Sequence, residues 1–107
     1  MGLFDDVVLD DAVLKLTREA YSGSAEIPAQ GWQTKSLKCN LDTVKLREGG
    51  IEVYDQSGGL EYTSSDITRE IEFYQSEKDL GSEWLEFRAM YIRGKLAAVV
   101  HVPEKKP

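Results

Sequence analysis

Two runs near the C-terminal end constrain the fold most: WLEFRAMYI at 84–92 and KLAAVVHV at 95–102, separated only by Arg93-Gly94. Successive side chains of a strand point to opposite faces, so a period of two marks β structure. In the first run Leu85, Phe87, Ala89 and Tyr91 share one face. In the second, Leu96, Ala98, Val100 and Val102 fall together, with Lys95, Ala97, Val99 and His101 opposite. Gly94 reaches left-handed backbone at little cost, which suits a type I turn with a G1 bulge. The two runs therefore read as a hairpin. Both of its faces are partly apolar, which predicts a central place in a sheet rather than an edge.

The same period recurs upstream. LDTVKLR at 41–47, IEVYD at 51–55 and LEY at 60–62 are separated by Glu48-Gly49-Gly50 and by QSGG at 56–59, and read as a meander. ITREIEFYQ at 67–75 fits a helix through Ile67, Ile71 and Tyr74, or a strand through Ile67, Ile71 and Phe73. The short length and the β-branched and aromatic content favour a strand. Phe4, Val7, Val8 and Leu9 fit a short strand. Asp10 or Asp11 can cap a helix over 12–20, a match good only in part, so strand stays open for 10–20.

The fold expected is a single mainly β domain over 1–107. It is an antiparallel meander of about five or six strands curled into a sandwich or partly open barrel, with one short N-terminal helix. A flat sheet backed by that helix is the alternative. Residues 103–107, PEKKP, are expected to fray.

Composition narrows the chemistry. Thirteen basic and 19 acidic residues give a net charge of −6, and the basic residues are scattered. Phosphate-backbone binding uses clustered Lys and Arg, so direct nucleic-acid binding is disfavoured. No apolar run approaches about 18 residues, the length of a spanning helix, and no membrane association is expected. The acidic start MGLFDDVVLDD does not resemble a secretory signal, and a cytoplasmic location is expected. One cysteine excludes a disulfide within the chain and any multi-cysteine zinc site.

Candidate chemistry is sparse. Cys39 could act as a nucleophile with His101 as its base, and Lys35 and Lys38 could lower its pKa, yet no local motif supports the pairing. Asp5-Asp6 and Asp10-Asp11 lack the Gly and Glu of a calcium loop. The glycine pairs at 49–50 and 58–59 are not followed by Lys-Ser/Thr opening a helix, so they are turns rather than phosphate cradles. Glu70, Glu72 and Glu86 would sit near Arg69 and Arg88 on adjacent strands, which favours cross-strand ion pairing over acid–base work. No cofactor, metal site or catalytic set is expected.

The blocks MGLFD at 1–5, GWQTKSLKC at 31–39, LDTV at 41–44, IEFY at 71–74 and FRAMYIRGKL at 87–96 together resemble a family of small phage and prophage proteins. Its members begin with MG-x-FD and carry a W/F-QTK-x-L-x-C motif. The resemblance implies a bacterial host context and no mechanism. Within the motif, Trp32, Gln33, Thr34 and Lys35 form a candidate binding patch, because Trp is favoured at binding centres. The competing reading makes 31–39 a crossover anchored by Trp32 and Leu37. The function expected is a non-catalytic interaction protein whose partner is another protein or a second copy of itself. A Cys39-dependent enzyme and an acidic nucleic-acid mimic are the alternatives.

Overall fold

The computed structural model describes residues 5–23, 26–35, 37, 42–76 and 84–102. The elements are β1 (Asp5–Leu9), α1 (Asp11–Ala20), β2 (Trp32–Thr34), β3 (Thr43–Arg47), β4 (Gly50–Tyr54), β5 (Leu60–Ser64), β6 (Arg69–Ser76), β7 (Trp84–Ile92) and β8 (Lys95–Val102). The chain is mainly β with one short helix, the class that its alternation predicts. Eight strands form one open sheet in the order β5-β4-β3-β1-β2-β6-β7-β8. The 103–107 tail lies outside the described residues. No helix among the described residues is long and apolar enough to cross a membrane.

Two antiparallel meanders make the sheet. β3–β4–β5 is one, in the register Val44↔Val53 and Val53↔Tyr62. β6–β7–β8 is the other, through Phe73↔Phe87 and Phe87↔His101. β1 and β2 splice them. β1 runs parallel to β3 through Val7↔Val44 and Leu9↔Leu46, the one departure from antiparallel pairing. Asp5, buried at the start of β1, accepts the Asp42 amide at 3.1 Å and so pins this parallel register. β2 pairs with β1 on one side and places Gln33 opposite Tyr74 of β6 on the other.

The helix forms where a cap and an apolar face coincide. Asp10 stands at the N-cap and its carboxylate accepts the Val13 amide at 3.0 Å, satisfying a donor that has no partner inside the helix. Val13 and Thr17 are fully buried, and the Thr17 hydroxyl donates back to the Val13 carbonyl at 2.8 Å. The Arg18 guanidinium donates to the Ile27 carbonyl at 3.2 Å, holding the returning segment against the helix.

One face of the sheet carries the core: Val7, Leu9, Trp32, Val44, Leu46, Ile51, Val53, Ile71, Phe73, Leu85, Phe87, Ala89, Tyr91 and Val99. The sheet curls around it. The tip of the last hairpin reaches the β3–β4 turn, where the Leu96 amide donates to the Glu48 carbonyl at 2.8 Å and the Tyr91 hydroxyl to the Arg47 carbonyl at 2.7 Å. α1 packs into the concave side, chiefly against β8.

Three details of the last hairpin differ from the sequence reading. Arg93 and Gly94 both have positive φ, 50° and 84°. The turn is therefore a two-residue type I′, whose twist matches the flanking strands, and not type I with a G1 bulge. Register shifts between Met90 and Tyr91, so Ala97 is an extra residue and Leu96 and Val99 share the core face. Leu96 therefore parts from Ala98, Val100 and Val102, which lie on the outer face. Finally, β8 is an edge strand rather than a central one.

Candidate interaction surface

The QTK segment divides between core and surface with the period of a strand. Trp32 is fully buried, its indole Nε1 donates to the Pro28 carbonyl at 2.8 Å, and its ring meets Phe73 and Phe87 edge-on at 5.2 and 5.6 Å. Thr34 is also fully buried and its hydroxyl donates to the Glu72 carbonyl. Gln33 is half-buried on the outer face and Lys35 is exposed. Of the four patch candidates, Trp32 is thus a core anchor, as in the crossover reading, Thr34 is buried and bonds a backbone carbonyl, and only Gln33 and Lys35 reach the surface. Cys39 lies outside the described residues, and with it the proposed Cys39–His101 pairing. His101 packs against Tyr21 and Phe87, with ring centroids 5.2 and 5.1 Å away.

The outer face of β2, β6, β7 and β8 forms a grid whose rows follow from register. One row runs Gln33, Tyr74, Glu86, Val102; the next Glu72, Arg88, Val100; the third Glu70, Met90, Ala98. The grid is polar toward β2 and β6 and apolar along β8. Val100 is 45% exposed and Ile92, at the hairpin tip, 56%. Met90, Ala98 and Val102 are half-buried beside them. The strand that carries the apolar side, KLAAVVHV, contains no acidic residue.

The polar side holds an ion pair and a crowded carboxyl group. Arg88 lies 3.8 Å from Glu70, with both side chains about half exposed, so solvent keeps the pair weak. Partial burial raises the Glu72 pKa above the ordinary glutamate range. The nearby Glu86 carboxylate raises it further by repulsion and by a hydrogen bond that favours the protonated form, and Arg88 offsets only part of this. This is the cross-strand arrangement of acids and arginine that the sequence suggests. Among the described residues no three metal-ligating side chains converge.

The other half of the outer face mixes signs in the same way. Lys45 lies opposite Glu52, and Arg47 donates to Glu52 at 3.1 Å. Sequence reasoning saw that β8 is apolar on both faces but placed it inside the sheet. Its outer face is instead available at an edge.

Compared with family models, curated proteins and solved structures, the chain matches none.

Proposed function

We propose that this chain is a non-catalytic interaction protein of phage or prophage origin, acting in the cytoplasm of its bacterial host by binding another protein. One observation carries the reading: an edge strand without acidic residues presents Val100, flanked by Met90, Ala98, Val102 and Ile92, on a chain of net charge −6. Apolar side chains grouped at a surface favour association with another apolar surface, because water is released from both. The phage context rests on the resemblance of the MGLFD and GWQTKSLKC blocks. The nucleic-acid mimic draws no support from the outer face, where Glu52 meets Lys45 and Arg47 and Glu70 and Glu72 meet Arg88. Interleaved signs do not imitate a row of phosphates.

The test is affinity capture from host and phage lysates, alongside sedimentation of the purified chain. The reading expects either a captured protein or self-association, lost on Val100→Lys with folding intact. A chain that stays monomeric and captures nothing overturns it.

A further inference from the structure

The edge position of β8 specifies more than a sticky patch, because register shows which backbone groups are free to pair. The Ile92↔Lys95 pair that closes the two-residue turn exchanges hydrogen bonds, so the next pair, Tyr91↔Leu96, points its amides away from each other. The Leu96 amide does so, bonding to the Glu48 carbonyl at 2.8 Å. The bulge absorbs Ala97, and alternation then turns the amides and carbonyls of Val99 and His101 away from β7. Among the described residues, none outside β8 bonds to the outward backbone groups of Val99 or His101.

Resting on the interaction reading above, we infer that the partner is a second copy of this chain, paired β8 to β8 in antiparallel fashion about a two-fold axis through Val100. Only one register joins the outward groups of both copies: Val99 of one copy opposite His101 of the other, and the reverse. Each such pair exchanges both of its hydrogen bonds. Val100 then faces Val100 across the axis as a non-hydrogen-bonded pair, with Cα atoms roughly 4.5 Å apart. On the outer face Ala98 of one copy meets Val102 of the other, so the apolar strip is complementary to itself, as an isologous interface requires.

Charge favours this occupant over pairing at the other edge. β5 carries Glu61, whereas β8 carries no acid, so β8-to-β8 pairing sets no carboxylate of one edge strand against that of the other. On the outer face of the strand next to β8, the acid is Glu86 of β7, and it is separated from its counterpart by three strand spacings. That is roughly 14 Å, beyond the screening length of about 8 Å at physiological salt. The edge also lacks the charges and prolines within 96–102 that commonly block strand addition.

Sedimentation velocity on the full chain across micromolar to millimolar concentration gives the first readout, and a concentration-dependent dimer is expected. Val100→Lys should weaken it about tenfold or more with circular dichroism unchanged. In a Cys39→Ser background, Val100→Cys should form a disulfide-linked dimer on mild oxidation, and Thr63→Cys on β5 should not. A chain monomeric at all concentrations, or a dimer insensitive to Val100→Lys and not linked through position 100, overturns the pairing. If the monomeric chain still captures a lysate protein through Val100, the interaction reading survives without self-pairing. If it captures none, both fail.

Discussion

Tyr91 donates its hydroxyl to the Arg47 carbonyl at 2.7 Å, joining β7 to the end of β3 although β1, β2 and β6 lie between them in the sheet. The bond is possible only because the sheet curls, and the phenol is almost wholly buried where it forms. Burial pushes the Tyr91 pKa well above the ordinary tyrosine value, and the charge of Asp10 adds to the shift.

Tyr91→Phe removes the donor and leaves the Arg47 carbonyl without it, at an expected cost of about 1–3 kcal/mol. Urea denaturation checks this, with an unchanged m-value showing that the fold is kept. The raised pKa also sets a pH dependence. The folded state favours the neutral phenol, so its contribution is full below pH about 10, the unfolded value, and declines as pH rises toward the folded one. Tyr91→Phe should flatten the alkaline limb of the stability profile.

Glu72 shows the same direction of shift, in a carboxyl group rather than a phenol. Its folded pKa is raised, so its contribution is full below the unfolded value of about 4.3 and is lost as pH rises through the folded value. Glu72→Gln keeps the shape and removes both the partial desolvation of charge and the repulsion by Glu86. It should stabilise the chain at pH 7 by less than about 1 kcal/mol, because solvent screens the pair. The gain should vanish at acid pH and shrink with added salt. A loss of stability at pH 7 would show that the attraction to Arg88 outweighs the repulsion.

Where local chemistry repeats along the chain, the fold was legible. Alternation placed β3, β4, β5, β7 and β8, while β6 also fitted a helix period and was settled by its β-branched and aromatic content. For α1 the sequence offered Asp10 or Asp11 as a cap but left 10–20 open between helix and strand. β2 escaped notice because Trp32–Thr34 is too short to display a period, and its place between β1 and β6 depends on distant partners. The parallel pairing of β1 with β3 is likewise a tertiary choice, made where Asp5 meets the Asp42 amide. The burial of the four patch candidates was half legible. Trp32 and Thr34 are two residues apart and therefore share a face, here the inner one. The edge position of β8 was illegible because apolar side chains on two faces describe a central strand and a self-complementary edge equally well.

Trp32 should prove the residue on which the splice between the two meanders depends. It fills the space against Phe73 and Phe87 and bonds the Pro28 carbonyl. Trp32→Ala should cost about 3–5 kcal/mol, a large part of the roughly 5–15 kcal/mol that holds a domain of this size. Trp32→Phe, which keeps a ring but loses volume and the donor, should cost less, about 1–3 kcal/mol. Chemical denaturation followed by far-ultraviolet circular dichroism measures both. A Trp32→Ala variant as stable as the parent would contradict the core role assigned to this side chain.

The turn at Arg93-Gly94 predicts opposite signs at adjacent positions. A Cβ on Gly94 would overlap the Ser65 carbonyl oxygen, and the position has φ +84°, so Gly94→Ala should destabilise by about 1–3 kcal/mol. Arg93 also has positive φ, at 50°, where asparagine is tolerated better than a long side chain. The hydrogen bond that its backbone amide donates to the Thr68 hydroxyl oxygen, at 2.8 Å, survives a change of side chain at position 93. Arg93→Asn should therefore stabilise by a few tenths of a kcal/mol to about 1 kcal/mol. A type I turn with a G1 bulge needs positive φ at the glycine alone and gives no reason for that gain. Urea midpoints of the two variants against the parent decide between the turns: a rise for Arg93→Asn together with a fall for Gly94→Ala is the signature of the type I′ hairpin.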